Sequence, residues 1–378
     1  MTNYDGELVF TLNAKAYTPG AKSLPRLCIV GPMVGRTPGY VTTQGERLSD
    51  LLAAEGFPVV SVSSRLNRYA RMLDILRTII SRHRRTDAMV LQVFGGSSFV
   101  VEDAASLLAR RFGIPIIMVL RGGAMPDFMG KHPTWSRRVL DRAASIVVPS
   151  AYLAEAIDKY GYEAKVIANI INIAQYRFRC RNRLQPRILW MRAFHPIYNP
   201  QMALNAFARV KQTQPNASMV MAGEEKGLGQ ECQALAESLG VSNSVRFAGF
   251  LNMEAKAREG DAADIYLNTN RIDNMPVSVI EAAAMGMPVV ATAVGGVPYL
   301  LRNEETGLLV PDNDADSAAA AICRLLDEPD LAERLSVNGR ALAEQSSWER
   351  IRPLWLELID HVTSARTART EREGLCAE

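Results

Sequence analysis

Short apolar runs alternate with segments of helical spacing along this sequence of 378 residues, and the alternation occurs twice. In the first half the strand-like runs are 27–30, 59–62, 88–93, 115–120 and 146–148. In the second half they are 187–191, 218–221, 245–247, 265–268 and 289–292. Strands that alternate with helices build parallel sheets, because each helix returns the chain to the same edge of the sheet. The pattern predicts an α/β protein of two doubly wound domains that face one another across a cleft.

A polar segment that ends in proline, Arg181-Asn-Arg-Leu-Gln-Pro186, separates the two halves and is predicted to be a linker. The expected units are therefore a Rossmann-like domain over 1–184, a second over 185–346, a helix over 347–366 and a polar, disordered tail over 367–378. The predicted helix carries a broad apolar face. It either packs on the core of its own domain or returns across the cleft to the first domain.

Charge is divided unevenly between the halves. Residues 1–184 hold 25 basic and 14 acidic residues, a net charge of +11, whereas residues 185–378 hold 18 and 26, a net charge of −8. The basic first half therefore predicts an anionic partner. Seven arginines lie within residues 64–85, interleaved with apolar residues at helical spacing. This segment is either a core-packed helix with a solvated basic face or an interfacial helix on anionic lipid.

Other features of the composition limit the setting of the protein. Apolar runs such as 116–120 are too short to cross a bilayer, and the first residues carry no signal-peptide pattern. The five cysteines are scattered and lack Cys-x-x-Cys spacing, as is usual for reduced thiols. We therefore expect a cytoplasmic protein, peripheral at the inner face of the membrane if the basic helix is interfacial. Nucleic acid is not an expected partner, because no recognisable module accompanies the arginines.

The stretch 270–298 contains the most informative motif. A β-prone run over 265–269 leads into a loop with Asp273 and Asn274, a helix predicted over 276–285 and a buried strand over 288–292. Strand, loop, helix and strand form a βαβ unit, and ligands of such folds bind outside the carboxyl ends of the strands. Asp273 and Glu281 lie on either side of the point where the helix begins.

The loop after the run 187–191 is a second candidate for ligand binding. Arg192 ends that strand, where a guanidinium can donate parallel hydrogen bonds to a diphosphate. His195 in the same loop is either an acid or base or a packed structural histidine. Asp314-Ala-Asp316 precedes an alanine-rich helix over 317–325, and this position favours an N-cap over a metal site.

The glycine-rich turn over 31–39 does not match the dinucleotide-binding pattern, so a nicotinamide enzyme is disfavoured. Its glycines either serve a tight turn or let the backbone approach a substrate at a helix N-terminus. In the second case Gly35, Arg36 and Thr37 supply the contacts.

Several of these motifs together resemble the retaining glycosyltransferases of family 4, which have the GT-B fold. The resemblance is carried by Arg192 after a strand, by Ala222-Gly-Glu-Glu-Lys-Gly227, by Asp273-x7-Glu281 and by Gly295-Gly296. It covers residues 187–365 and extends more loosely to the first half through Val148-Pro-Ser150 and Asn169.

The resemblance implies transfer of a sugar from a nucleotide-diphosphate sugar, without a metal or other resident cofactor and with retention at the anomeric carbon. The acceptor would be a glycan or a lipid-linked molecule of cell-surface polysaccharide or glycolipid synthesis. Fixed cations stabilise the departing diphosphate in such a reaction. The resemblance gives that task to Arg192 and the following helix N-terminus, the ribose to Glu281, and the donor sugar to Asp273. Further donor-binding residues are Gly223, Lys226, Asn274, Met275, Pro276 and Val277, and the acceptor-side residues are Gly35, Arg36, Thr37 and Arg121.

Three positions depart from the family pattern. Asp273 stands where a glutamate is usual, Asn199 where a lysine is usual, and Arg121 where a histidine is common. We hypothesise that Lys226 or Arg271 replaces the missing lysine.

Two alternative functions follow from the same residues. One is a degenerate GT-B protein that binds a nucleotide sugar without turnover. The other is a different GT-B enzyme, such as a sugar epimerase or a pyridoxal-dependent phosphorylase. A phosphorylase requires a Schiff-base lysine in the cleft. Of the lysines at 211, 226 and 256 in the second half, only Lys226 is expected near a crevice loop.

Overall fold

The computed structural model describes residues 23–37 and 39–375, and in them two six-stranded sheets form, both entirely parallel. The prediction of two doubly wound α/β units is thereby confirmed. Residues 1–22 of the predicted first domain, Pro38 of the glycine-rich turn and residues 376–378 of the predicted tail lie outside the described residues.

The first sheet has the strand order β2-β1-β3-β4-β5-β6. Its strands are β1 (Leu27–Val30), β2 (Val59–Val62), β3 (Ala88–Phe94), β4 (Ile116–Arg121), β5 (Ser145–Val148) and β6 (Lys165–Val166). Its helices are α1 (Gln44–Ala54), α2 (Arg68–Arg82), α3 (Phe99–Arg111), α4 (Met125–Lys131), α5 (Pro133–Leu140) and α6 (Ala151–Asp158). The sequence predicted the first five strands; β6, with two exposed residues, carries no apolar signal.

The second sheet has the strand order β12-β11-β10-β7-β8-β9. Its strands are β7 (Arg187–Met191), β8 (Ser218–Ala222), β9 (Val245–Gly249), β10 (Ile265–Asn268), β11 (Val289–Thr292) and β12 (Leu308–Val310). The helices are α7 (Pro200–Thr213), α8 (Gly229–Ser238), α9 (Met253–Ala262), α10 (Val277–Ala284), α11 (Val297–Leu300), α12 (Ala315–Asp327), α13 (Pro329–Glu344) and α14 (Trp348–Leu375). All five predicted strand runs are present, and β12 was not predicted as a strand.

The last helix, α14, crosses back to the first sheet, so the second of the two interpretations of this segment is correct. Its apolar residues Trp355 and Ile359 pack in one cluster with Leu48 and Leu52 of α1. Trp348 Nε1 also donates a hydrogen bond of 3.0 Å to the carboxylate of Glu55. Burial of side chains of this size contributes about 2 kcal/mol each, so the chain end is a structural part of the first domain.

The helix is longer than the sequence analysis expects. α14 continues to Leu375, whereas a helix over 347–366 and a disordered tail over 367–378 were predicted. The prediction of disorder is wrong for residues 367–375. Alanine, arginine and glutamate recur in this segment, and these strong helix formers extend a helix that is already nucleated.

Buried arginine contacts fix the predicted linker to the second sheet. The Arg181 guanidinium is almost fully buried and donates to the carbonyls of Gly260 (2.7 Å) and Ala263 (3.0 Å). The neighbouring Asp264 carboxylate, also buried, pairs with Arg179 (2.8 Å) and Arg187 (2.7 Å). Each buried charge in this group has a partner, as the cost of desolvation requires.

Glu102, in the first turn of α3, is a buried acid that gives a test by pH. Its Oε1 accepts a hydrogen bond from the Phe94 amide at 3.3 Å, and its Oε2 has no partner. Burial raises the pKa of Glu102 from 4.5 to about 8. Because the folded state holds the proton more tightly, the stability that Glu102 contributes is greatest below about pH 4.5. It is lost as the pH rises towards about 8.

We therefore predict that Glu102→Gln, which mimics the protonated acid, raises the free energy of unfolding by about 3 kcal/mol at pH 8. The gain should vanish near pH 4.5. Denaturant unfolding across this pH range measures it, with the exposed Glu254→Gln as control. A variant that is equally destabilised at every pH would contradict the assignment.

Candidate functional site

Two loops meet at the carboxyl edge of the second sheet. β7 and β10 are adjacent and parallel, with Ile188 opposite Ile265, so the residues that follow both strands emerge side by side. Arg192 directly follows β7, and residues 269–276 connect β10 to α10. Both strands are buried, which gives the two loops a rigid base.

The guanidinium of Arg192 has a partner on each nitrogen. Nη2 donates to the carboxylate of Asp273. Nε donates to Asn270 Oδ1 at 3.2 Å and Nη1 to Ser278 Oγ at 3.3 Å. The group also lies over the Tyr198 ring, 4.2 Å from its centroid, as a cation–π contact. Burial opposes the charge of Arg192, but Asp273, Tyr198, Tyr266 and Glu281 together outweigh it and raise the pKa of the guanidinium.

The backbone of the loop that carries Asp273 packs closely against two glycines, Gly295 and Gly296. The Gly296 amide donates to the Asp273 carbonyl at 3.0 Å. A Cβ on Gly295 would lie 2.2 Å from that carbonyl oxygen, and one on Gly296 would lie 1.9 Å from the carbonyl oxygen of Asn274. Only glycine permits these approaches, so the backbone at 273–274 has a fixed position.

The first domain contacts the same loop from the front. Asn169 Nδ2 donates to the Met275 carbonyl at 3.0 Å, and the Asn169 amide lies 3.4 Å from Met275 Sδ. Ser150 Oγ donates to Asn274 Oδ1. These contacts join the first domain to the loop, and they include the Asn169 and Ser150 positions that the sequence singled out in the first half.

Helix α10 begins at this loop. Pro276 is its N-cap and Val277 its first residue, one position later than predicted. The first amides of a helix have no partner within the helix, and the helix dipole gives this end a partial positive charge. The start of α10 therefore adds donors beside Arg192 without adding a side chain.

Glu281 lies about one turn inside α10, and its carboxylate is buried and paired. Lys256 Nζ of α9 donates to Oε1 at 2.9 Å and to Oε2 at 2.7 Å. Tyr176 OH donates to Oε1 at 2.7 Å. The expectation that only Lys226 lies near a crevice loop is wrong, because α9 starts at the same sheet edge and brings Lys256 inward. Its ammonium is held by Glu281 and is not a free nucleophile.

Two more of the predicted donor-side residues lie in the loop after β8. A Cβ on Gly223 would lie 1.8 Å from the Arg192 carbonyl oxygen, so this glycine lets the loops after β7 and β8 touch. Lys226 is half exposed and pairs with Glu224 at 2.5 Å, which raises the pKa of the lysine.

Asn199 is a helix cap. Its backbone is left-handed (φ 47°), its Oδ1 accepts from the Met202 amide at 3.3 Å, and its Nδ2 donates to Asn313 Oδ1 at 3.2 Å. Arg271 is exposed, and its Nη2 lies 3.4 Å from the same Asn313 oxygen. His195 Nδ1 accepts from the Ile197 amide at 3.2 Å, a contact that favours the structural interpretation of this histidine.

The glycine-rich turn is stabilised by its own hydrogen bonds. The Gly35 amide donates to Glu46 Oε1 at 2.7 Å, and a Cβ there would lie 2.3 Å from Thr42 Cα. The Thr37 amide donates to the Val34 carbonyl at 2.9 Å. Arg36 is 89% exposed and reaches Asp50 at 3.2 Å. These contacts are enough to explain the conformation of the turn without a bound substrate.

The remaining motif, Asp314-Ala-Asp316, behaves as predicted. Asp314 is the N-cap of α12 and accepts from the Ser317 amide at 2.9 Å. Asp316 forms a surface pair with Arg209. No group of three or more His, Cys, Asp or Glu side chains gathers into a potential metal site in the part of the chain that the structure describes.

Comparison with known proteins finds a family model that matches part of the chain. Residues 179–342 match the family of glycosyl transferases group 1. The D-inositol 3-phosphate glycosyltransferase of Acidothermus cellulolyticus is 26% identical over 304 residues, which cover 71% of this chain and 67% of that protein. Its namesake in Geodermatophilus obscurus is 31% identical over 199 residues, which cover 50% of this chain and 42% of that protein.

Two solved structures are similar over nearly the whole chain. Sucrose-phosphate synthase of Thermosynechococcus elongatus has a TM-score of 0.77 and 18% identity, covering 90% of this chain and all of that one. Anabaena HepE in complex with UDP and glucose has a TM-score of 0.71 and 16% identity, covering 89% of this chain and all of that one. The likeness shows the GT-B fold.

We predict that Lys256→Met lowers the free energy of unfolding by about 3 kcal/mol, because it leaves the buried Glu281 carboxylate without its cation. Combining Lys256→Met with Glu281→Gln should restore part of the loss. Denaturant unfolding of the two single variants and the double variant measures this coupling.

The matched control is Lys226→Met, which breaks the exposed pair with Glu224 and should cost less than about 1 kcal/mol. Equal losses for the two lysine variants would show that the Lys256–Glu281 pair has no special energetic weight.

Proposed function

We propose that the chain is a group 1 glycosyltransferase, a family whose model matches residues 179–342, and that it transfers a sugar from a nucleotide-diphosphate sugar to an acceptor hydroxyl with retention of configuration and without a metal. The observation that carries the proposal is the grouping of Arg192, Asp273 and the N-terminus of α10 at one sheet edge, with Glu281 deeper in the same helix. Ligands of doubly wound folds bind at this edge.

The donor diphosphate is proposed to lie against Arg192 and the first amides of α10. Cleavage of the bond between the anomeric carbon and the diphosphate leaves negative charge on the phosphate oxygen. A guanidinium held in place by Asn270 and Ser278 stabilises that charge without reorganising. The acceptor oxygen forms the new bond to the anomeric carbon, and its proton passes to the departing phosphate.

The two carboxylates keep room for a ligand despite their partners. Among the described residues, Glu281 Oε1 accepts from both Tyr176 and Lys256, whereas Oε2 accepts from Lys256 alone. Asp273 Oδ1 accepts only from the Asn274 amide at 2.8 Å. Because a carboxylate oxygen accepts two hydrogen bonds, Glu281 Oε2 can receive a ribose hydroxyl and Asp273 Oδ1 a hydroxyl of the donor sugar.

A second candidate is a protein that binds the nucleotide without turnover. It is favoured by Asn199, which caps α7 where the family usually has a lysine, and by the direct pairing of Arg192 with Asp273. In this candidate the diphosphate gains one cation instead of two. Binding of nucleotide diphosphates with no transfer from any donor separates it from the first.

For the acceptor, we propose a glycan or lipid-linked molecule reached at the inner membrane surface through α2. Ile75 and Ile79 of this helix are buried, whereas Tyr69, Leu73 and Ile80 are exposed. Spacings of four and seven residues put these three on one face. Arg77 shares that face, and Arg65, Arg68, Arg84 and Arg85 are also exposed. Among the described residues, no helix combines the length and apolarity needed to cross a bilayer.

The transferase proposal is tested by incubating the protein with donors of different base and sugar and with acceptors that include inositol 3-phosphate, the acceptor named for its relatives. We expect Arg192→Gln to lower kcat by about 100-fold or more, since it removes charge stabilisation of the leaving group. Asp273→Asn and Glu281→Gln should each lower kcat/KM by at least about tenfold. EDTA should leave the rate unchanged.

Asp316→Asn, which alters only an exposed pair, is the control. Full activity of both the Asp273 and the Glu281 variants would refute the site, and loss of turnover in EDTA would refute metal independence.

The membrane proposal predicts that the protein sediments with vesicles containing anionic lipid and not with neutral vesicles, and that salt releases it. Leu73→Ser with Ile80→Ser should reduce binding by about tenfold or more, because two apolar side chains no longer insert. Val337→Ser, an exposed apolar residue of α13, is the matched control. Equal sedimentation with neutral and anionic vesicles would exclude the proposal.

A further inference from the structure

Arg121, the last residue of β4, is a cation without a counter-charge at the carboxyl edge of the first sheet. Its Nε donates to Gln92 Oε1 at 2.9 Å and its Nη1 to Asn169 Oδ1 at 2.5 Å. Both acceptors are neutral amides. Among the side chains that the structure describes, no carboxylate forms a salt bridge with Arg121, unlike Arg192 or Arg181.

The charge of this guanidinium is costly where it lies. Burial lowers the pKa of Arg121 to about 10, so the group remains protonated at neutral pH. A buried charge without an opposite charge is unfavourable. Two amides satisfy part of its hydrogen bonding and leave its charge uncompensated, and its Nη2 forms no hydrogen bond with the described residues.

Two buried amide groups near Arg121 and Asn169 also have N–H donors without acceptors among the described residues. Gln92 is 3% exposed, and its Nε2 has no partner. Its orientation is set by Arg121, which needs the amide oxygen. Asn274 is likewise 3% exposed with an unpartnered Nδ2, because its oxygen receives the Ser150 hydroxyl. In a native fold such groups are rare and indicate a missing acceptor.

These donors lie along the contacts that join the two domains. Asn169 accepts from Arg121 and donates to the carbonyl of Met275, the residue after Asn274. The backbone of Gly123, two residues after Arg121, approaches Asp273 so closely that a Cβ would lie 2.8 Å from the Asp273 carbonyl carbon. Arg121 and Gln92 of the first domain are thus linked to the loop 269–276 of the second domain.

We propose that Arg121 and Gln92, with Asn274 across the cleft, bind a carboxylate or phosphate group of one of the two substrates. A neutral hydroxyl would accept one hydrogen bond and leave the charge of Arg121 uncompensated. An anion supplies both the opposite charge and several acceptor positions. The inference rests on the proposed transferase function and names its substrate class: either the transferred sugar is a sugar acid or the acceptor is phosphorylated or carboxylated.

The test pairs Arg121→Gln and Arg121→Lys with the surface variant Arg26→Gln as control. Each is measured with a nucleotide-diphosphate uronic acid against its neutral hexose donor, and with phosphorylated acceptors against their unphosphorylated forms. We expect Arg121→Gln to lower kcat/KM for the anionic substrate by about 10- to 100-fold and for its neutral partner by less than about threefold. Arg121→Lys should retain part of the preference. The substrate pair that shows this difference identifies the source of the anion.

Stability supplies a readout that does not depend on transfer. Without ligand, Arg121→Gln should melt at or above the temperature of the unsubstituted protein, because it removes a buried uncompensated charge. Inorganic phosphate or glucuronate should raise the melting temperature of the unsubstituted protein more than that of Arg121→Gln.

The outcomes separate the two proposals. If no donor is turned over, the transferase proposal fails, while the anion-dependent melting shift still supports the anion site. A large loss of stability in Arg121→Gln, equal losses of kcat/KM with anionic and neutral substrates, or no shift with either anion would overturn the inference.

Discussion

The pairing of Arg192 with Asp273 is the contact on which the cleft depends. It joins the loop after β7 to the loop after β10, and Asn270 and Ser278 complete the shell around the guanidinium. Without the Asp273 carboxylate, the Arg192 guanidinium would have only the neutral side chains of Asn270 and Ser278 as hydrogen-bond partners. The diphosphate that we propose to bind here would share or replace the charge of Asp273, so its binding would exchange one ion pair for another and would not neutralise a free cation.

Local pattern predicted much of the scaffold, because strands buried on both faces read as apolar runs whatever lies around them. The runs at 27–30, 59–62, 187–191, 265–268 and 289–292 end where the strands end. Short-range chemistry was equally readable, as the N-cap at Asp314 illustrates. The sequence did not predict β6, because two exposed residues carry no pattern. It did not predict the helix after 366 either, because polar composition alone does not distinguish a tail from an extended helix.

The missed site residues share a different cause, since each acts through a contact distant in sequence. Lys256 lies on a polar helix whose sequence gives no sign that one lysine turns inward to Glu281. Tyr176 reaches the same carboxylate from 105 positions away. The family resemblance identified Glu281 because it follows Asp273 at a fixed interval, whereas partners set by packing follow no interval. Sequence therefore located both acids and Arg192, the cation paired with Asp273, but not Lys256, the cation paired with Glu281.

The excess positive charge of the first half resolves into two physically distinct kinds of arginine. Those of α2 are exposed in water, where ions screen a charge beyond about 8 Å, so the attraction to an anionic surface that we propose for them weakens with salt. Arg121 lies within the cleft wall, where little solvent screens it and only a group inside the cleft can reach it. The net charge of +11 of residues 1–184 thus includes exposed arginines, for which we propose attraction to a surface, and Arg121, for which we propose contact with a single bound group. Because the buried contact is far less sensitive to salt than the exposed one, ionic strength separates attraction to a surface from recognition of a substrate.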